Sequence, residues 1–556
     1  MNKILGIDLG TTYSCTAYID ENEKPVVIKN SDGELTTPSV VLFETATNVV
    51  VGSVAKESVM LYPEQVVSFV KRKIGKEGMF DYILGNKLTP EEVSAYILRK
   101  IVNDAVDVLR SENRLAQDET ITDVVITCPA YFGTAERDAT KKAGEIAGLT
   151  VIEILNEPTA AAICYGLTDL ENEKNVLVYD LGGGTFDVTM IAIHKEEIKV
   201  ICTGGDHMLG GKDWDDAIIG YLISQFCNVT GTSEDVYNDL EFIQNLMLSA
   251  EIAKKSLTQK EKHPILINYN GEKARVELTR VKFQEISENL LESTISLTKD
   301  MLSEAEKKGY PLSSLNEIIL VGGATRMPMI KKRVEEAFGV QVNQYDPDEA
   351  VAKGAAIYAN RIQFLGNILE KQSKKTGKSQ KQIKEDIASG TTSLQEVAKG
   401  LNIQDNAALE MTNLNIINVN SRSFGTIAVV NGEHKIVNII FKNSSLPAHH
   451  SQFFGTTVEN QKNVNIEIME TLTSDEITDA QLGVKVGEAV LELPENLPKG
   501  TKISVDFYLN ESGLLEVHAQ ESAQFRTVSA TFEVASSMSS EEMQLASNRT
   551  QMAIIN

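Results

Sequence analysis

Cysteine is scarce in this chain of 556 residues. There are five, at Cys15, Cys128, Cys164, Cys202 and Cys227, and none follows residue 227. They form no C-x-x-C pair and no zinc spacing, which excludes a disulfide scaffold and a zinc domain and predicts reduced thiols in a reducing compartment, the cytoplasm. Long apolar runs are missing too. No stretch approaches the length of a bilayer span, and the opening MNKILGIDLG has too short an apolar run for a signal peptide. Cations are outnumbered, with 53 Lys and Arg against 78 Asp and Glu and a net charge of −25. A chain of that sign repels nucleic-acid phosphates and anionic membranes, so neither is an expected partner.

What remains is an ordinary globular balance, 42% hydrophobic and 24% charged, in a length that suits roughly three or four structural units. From Lys3 to about Asn360, β-branched runs such as Thr122–Cys128, Val176–Tyr179 and Glu317–Val321 alternate with helical periodicity over Glu91–Leu109, Asp239–Leu257 and Phe283–Lys308. That alternation predicts an α/β region. From Arg422 to Val534 the helical pattern gives way to short alternating segments with turns at Asn431-Gly432 and Ser512-Gly513, which predicts an all-β domain. The polar, lysine-bearing stretch between them reads as a mobile connector, partly helical where Ser393-Leu-Gln-Glu396 offers a capping box. Ser536 onward leaves room for one short helix. The expected boundaries are therefore 1–360, 361–412, 413–421, 422–535 and 536–556.

Inside the α/β region the sequence echoes itself. Ile4 to Asp8, then Leu-Gly10-Thr11-Thr12-Tyr13, is repeated in style by Val176 to Asp180, then Leu-Gly182-Gly183-Gly184-Thr185-Phe-Asp187. Each is an apolar strand, an aspartate, a Gly/Thr turn and a second strand. Glycine removes the Cβ that would hold backbone N–H groups away from phosphate oxygens. The aspartates Asp8 and Asp180 face the same gap, where they can hold a hydrated Mg²⁺. A third glycine turn, Gly322-Gly323-Ala-Thr-Arg326, can let a nucleoside approach backbone. Two such hairpins and a Gly-Gly turn in one order predict a clamp for nucleotide phosphates.

Asp8-Leu-Gly-Thr-Thr-Tyr13, Asn156-Glu157-Pro158, Asp180-Leu-Gly-Gly-Gly-Thr-Phe-Asp187, Leu209-Gly-Gly-x-Asp213 and Val321-Gly-Gly-x-Thr-Arg326 together resemble the DnaK-type, seventy-kilodalton heat-shock chaperones. Asn443-Ser-Ser-Leu-Pro447 and Ser451-Gln-Phe-Phe454 resemble that family's substrate-binding sandwich. The resemblance implies an actin-like, duplicated α/β ATPase domain followed by an all-β, peptide-binding sandwich. It also implies ATP or ADP with Mg²⁺, extended apolar peptides of unfolded proteins as substrates, and a J-domain co-chaperone and a nucleotide exchange factor as partners.

The resemblance further implies roles for single residues. Lys71 would orient the attacking water and the γ-phosphate, Glu157 and Asp187 would orient that water or the hydrated metal, and Thr185 would hydrogen-bond near the γ-phosphate. Asp8 and Asp180 would hold Mg²⁺ mainly through water, and Gly10, Thr11, Thr12, Tyr13 and Gly182, Gly183, Gly184 would bind phosphates. Glu251, Lys254, Lys255 and Thr258, on one helix face, would reach ribose and adenine together with Gly322, Gly323, Arg326 and Asp348. Val429, Ile440, Phe454, Val464 and Ile466 would form the peptide pocket, although alternating apolar residues equally build a sandwich core. Leu414, Ile416 and Ile417 of the interdomain linker would dock on the ATPase domain as an added strand.

Departures from the family pattern are specific. Ala324 stands where serine is usual, Lys255 where arginine often stacks on the base, and Lys212 where a carboxylate precedes Asp213. Glu153 stands where an arginine usually meets an acidic J-domain residue, so a J-domain partner is expected to be specialised or absent. The 361–412 stretch has no counterpart, and the helical lid that usually covers bound peptide is not expected, which predicts weak, rapidly exchanging peptide. A dedicated-partner ATPase on the same fold is the alternative reading.

Overall fold

The computed structural model describes residues 3–76, 80–166, 173–194, 197–389, 391–401, 415–511, 513, 515–521, 527–531 and 538–556. Two similar α/β lobes come first. The sheet of the first lobe orders its strands as Thr150–Asn156, Asp123–Cys128, Leu5–Asp8, Tyr13–Ile19 and Pro25–Ile28. The second lobe follows the same plan with Val342–Gln344, Glu317–Val321, Lys174–Leu181, Phe186–His194 and Glu197–Asp206. In each lobe the strand ending in the motif aspartate pairs antiparallel with its hairpin partner on one side and parallel with a crossover strand on the other. These central strands are apolar on both faces because both faces are covered, as in Val176-Leu-Val-Tyr179, every residue of which is buried.

Helices Pro90–Ser111 and Thr134–Ile146 share the apolar core of the first lobe. Helices Gly211–Thr230, Leu240–Leu257 and Arg280–Lys307 share that of the second, around Trp214, Phe226 and Met301. The long helix Ala350–Thr376 packs on Leu5–Asp8, Tyr13–Ile19 and the helix Glu157–Gly166. Its buried face is small (Ala352, Gly354, Ala355, Ala356, Ala359), which lets backbones approach closely between the lobes.

The boundary expected at residue 360 falls inside this helix. The described part of the stretch beyond it, expected as a mobile connector, has a core of its own. Ile368, Leu394, Val397 and Ala398 are buried together, with Phe364, Leu365, Ile387 and Leu401 against them. Helices Gln380–Ala388 and Leu394–Gly400 both start with capping boxes, the second at Ser393 and Glu396 as expected. Residues 402–414, and with them Leu414, lie outside the described residues. Asn415–Ile417 adds as a parallel strand beside Glu197–Lys199, the docking expected of Ile416 and Ile417.

The strands between Ser423 and Thr531 form two facing sheets. One orders Ile477–Asp479, Glu433–Ile440, Ser423–Val430, Asn463–Thr471 and Gly483–Glu492; the other Ala448–Gly455, Lys502–Leu509, Leu515–Glu521 and Thr527–Thr531. The Asn431-Gly432 turn has positive φ at both residues, 54° and 88°, the geometry that joins antiparallel strands through two residues. Phe424, Ile440, Ile468, Leu491, Phe507 and Val517 fill the space between the sheets. The chain then returns to the first lobe as a helix, Ser540–Met552, and a short strand, Ile554–Ile555, where a short helix or tail was expected. No described helix is long and apolar enough to cross a membrane, and all five cysteines are free.

Candidate active site

The two motif hairpins face each other across the gap between the lobes. A Cβ at Gly183 would lie 2.1 Å from Thr12 Oγ1, and one at Gly184 would lie 2.2 Å from Thr11 Cγ2. No side chain fits there, so the turns approach backbone to side chain across the gap. The Gly182 N–H donates to the Thr185 carbonyl at 3.0 Å and closes the second turn.

Between the lobes lies a cavity of about 550 Å³, within the range of small-molecule sites. Gly10, Thr11, Thr12 and Tyr13 line it from the first lobe, and Gly182, Gly183 and Thr185 from the second. Asp8, Asp180, Lys71 and Glu157 line it as well. Glu251, Lys254, Lys255 and Thr258 come from the helix Leu240–Leu257 and its C-terminal cap, and Gly322, Gly323, Arg326 and Asp348 from the third glycine turn and its neighbour. Gly184 and Asp187 are the two expected residues that do not line it; Asp187 sits directly across the hairpin from Asp180.

Lys71 is buried, 4% exposed, and its ammonium donates to Glu157 Oε1. Burial alone would lower its pKa, but the Glu157 and Asp8 carboxylates outweigh that and raise it. The neighbouring carboxylates are raised as well. Burial, then Glu157, pushes Asp8 up to about 7 and Asp187 up to about 8, and burial with the charges of Glu157, Asp187 and Asp8 raises Asp180 well above the carboxylate range. Lys71 brings a single positive charge to these buried acids, and a divalent cation would add the rest. No described cluster of three or more His, Cys, Asp or Glu converges on a common metal point. A cation held through its own water shell, as Mg²⁺ prefers, fits that arrangement.

The end of the cavity lined by Tyr13 and Glu251 is crossed by a polar network. The Tyr13 hydroxyl donates to Glu251 Oε1 at 3.1 Å and accepts from Lys56 and Lys255 at 2.9 and 2.8 Å. Glu251 also pairs with both lysines, and those two ammonium groups pull its pKa down to about 2 despite burial. Lys254 reaches Asp215 Oδ2 at 2.7 Å and the Gly211 carbonyl at 2.8 Å. Thr258 donates its hydroxyl to the Lys255 carbonyl, and Arg326 pairs with Asp348. No motif marks two further residues that join the lobes: Lys56, through Glu251, and Arg72, which donates to the Gly184 carbonyl at 2.8 Å and pairs with Asp213.

Among the peptide-pocket candidates, Ile440 and Ile466 are buried in the sandwich core and Phe454 and Val464 pack partly buried against it, whereas Val429 is half exposed and stands apart. Glu153, on the strand Thr150–Asn156, and Tyr358 line a cavity of about 350 Å³ between the α/β lobes, the linker strand and the sandwich. The sandwich also touches the site from behind. The Arg422 guanidinium lies 4.5 Å from the centre of the Tyr131 ring, and the Tyr131 N–H donates to Asp187 Oδ1 at 3.0 Å.

Compared with known families, the chain matches the model of the Hsp70 protein family over residues 4–82, 76–363 and 359–553.

Proposed function

The chain belongs to the Hsp70 family, whose members are ATP-dependent chaperones, and from that premise we propose that it hydrolyses ATP in the cleft between its lobes and binds extended apolar peptide segments in its sandwich. The observation that carries the proposal is the buried Lys71–Glu157 pair set between two interlocked Gly/Thr turns and three further carboxylates. Phosphoryl transfer to water asks a protein for positioning and charge neutralisation more than for covalent chemistry. Thr11, Thr12 and the Gly182–Gly184 turn cradle the phosphates. Lys71 brings a positive charge that its surroundings keep protonated, Glu157 and Asp187 orient the attacking water or the hydrated metal, and Thr185 hydrogen-bonds near the γ-phosphate. Asp8 and Asp180 would hold Mg²⁺ mainly through its water shell, and the ion would supply neutralisation of phosphate charge. Glu251, Lys254, Lys255, Thr258, Gly322, Gly323, Arg326 and Asp348 frame the nucleoside.

In the sandwich, main-chain hydrogen bonds would hold the peptide, and Phe454 and Val464, the candidates left partly open, would take its apolar side chain. The chain of contacts from Arg422 through Tyr131 to Asp187 supports coupling between peptide and hydrolysis. Exchange of a fluorescent apolar peptide, followed by anisotropy with ATP and with ADP, tests the reading. Binding that differs between the two nucleotides and is lost in Phe454→Ala supports it. Absence of peptide binding in both moves the assignment to an ATPase whose sandwich serves one dedicated protein.

A further inference from the structure

Six cationic side chains line the cleft: Lys56, Lys71, Lys212, Lys254, Lys255 and Arg326. Five of them pair with a carboxylate that lines it too: Lys56 and Lys255 hold Glu251, Lys71 holds Glu157, Lys254 holds Asp215 and Arg326 holds Asp348. Lys212 differs. Its ion-pair partner is Asp216, one helical turn further on, which does not line the cavity and whose side chain is 46% exposed. An exposed pair at i and i+4 holds weakly and is screened by salt.

The backbone sets Lys212 beside the phosphate turn of the second lobe. It is the second residue of the helix Gly211–Thr230. Its N–H donates to the Gly183 carbonyl at 2.8 Å, and the Gly211 N–H donates to the Gly182 carbonyl at 2.9 Å. A Cβ at Gly210 would lie 2.5 Å from the Gly184 carbonyl carbon, so glycine is what lets the helix start this close to the turn.

On its other side lies the segment that carries Lys71. Phe69 adopts φ 59°, in the left-handed region that a bulky residue rarely enters. Its ring centre lies 5.6 Å from the Lys212 ammonium. The chain then turns through Val70–Arg72, where Lys71 meets Glu157. Lys212 thus touches both the Gly182–Gly184 turn and the segment leading into Lys71.

We propose that Lys212 is a ligand for the terminal phosphate of a nucleoside triphosphate, exchanging Asp216 and the Phe69 ring for phosphate oxygens when the triphosphate is bound. The proposal rests on the nucleotide reading of the cleft and adds a preference to it, triphosphate over diphosphate. An ammonium is a point charge with three donors on a flexible stem, and it meets a phosphate without a fixed fork. The exchange favours phosphate because its charge exceeds that of one carboxylate and the cavity screens it less than the surface does. Asp216, left behind, stays in solvent and needs no partner. The cation stands where the family pattern has a carboxylate, so the preference is expected of this chain and not of the family at large.

Calorimetric titration of the full chain tests it, with Mg²⁺ and either ADP or the β,γ-imido analogue of ATP, which is not hydrolysed. Lys212→Met is expected to weaken the analogue about tenfold or more and ADP less than about threefold. Lys212→Arg, which keeps the charge, is expected to recover most of that loss. Asp216→Asn removes the surface pair but keeps the cation, and is expected to bind the analogue at least as tightly as the wild type. An unchanged ratio of the two affinities in Lys212→Met, whether both hold or both fall, would overturn the proposal. A loss in Asp216→Asn as large as that in Lys212→Met would assign the effect to the helix pair and overturn it as well. A wild type that binds neither nucleotide would refute the nucleotide reading itself, and the proposal with it, an outcome distinct from both of these.

Discussion

Lys71 illustrates how the candidate site works at the scale of single residues. A buried ammonium ordinarily loses its proton, yet Glu157 and Asp8 keep this one charged. The cation therefore stays fixed where phosphate charge would arrive, at no cost of reorganisation. Glycine defines the scaffold just as tightly. A Cβ at Gly6 would lie 2.1 Å from the backbone nitrogen of Ala356, so the strand carrying Asp8 and the long helix behind it have no slack. Gly6→Ala should cost about 2 kcal/mol or more of stability and displace Asp8. Thermal unfolding and ADP titration of the variant check this, and a wild-type melting temperature would contradict it. The motif residues were legible because each motif is contiguous and its turn chemistry is local. Lys56, Arg72 and Glu470 were not, because their partners Glu251, Asp213 and Thr134 lie far away in sequence and each is an unremarkable charged residue alone.

At the scale of elements, the long helices and the central strands carry strong periodicity and appear close to where their patterns put them. The stretch after the second lobe does not, for a physical reason. Its apolar residues are divided among Ala350–Thr376, Gln380–Ala388 and Leu394–Gly400, so no single helix shows a broad stripe, and lysines dominate the composition. Only when the three pack together do Ile368, Leu394, Val397 and Ala398 become a core. Leu394→Ala should cost about 3 kcal/mol locally. Backbone exchange should then rise over 380–401, while ADP affinity, read by calorimetry, stays that of the wild type. Loss of nucleotide binding would instead make this small unit part of the cleft.

At the scale of the whole molecule, the sandwich sits on the ATPase domain through polar contacts that no sequence pattern announces. Glu470 is one of them. Its Oε1 accepts from the Thr134 N–H at 3.4 Å, with Arg422 and Glu136 also facing it. Burial, opposed by Arg422 and assisted by Glu136, pushes its pKa up to about 7. The seated form therefore binds a proton more tightly than a released form with an ordinary glutamate. Seating stability from this group is fully present below the ordinary glutamate pKa of about 4.3 and is lost as pH rises through about 7. Exchange at the Thr134 and Thr203 amides, corrected for intrinsic rates, should reveal weaker seating at pH 8 than at pH 6. Glu470→Gln should flatten that dependence and hold the sandwich more firmly at pH 8. An unchanged slope in the variant would assign the dependence to another group.

All three scales converge on the cleft, whose central claim is that the Lys71–Glu157 pair positions water and phosphate for hydrolysis. Single-turnover ATP hydrolysis by the purified chain, beside Lys71→Ala and with ATP binding measured separately, tests it most directly. The expected result is hydrolysis by the wild type and a fall of at least about a hundredfold in Lys71→Ala, with ATP still bound by the variant. A Lys71→Ala chain that binds and hydrolyses ATP at the wild-type rate would contradict the account.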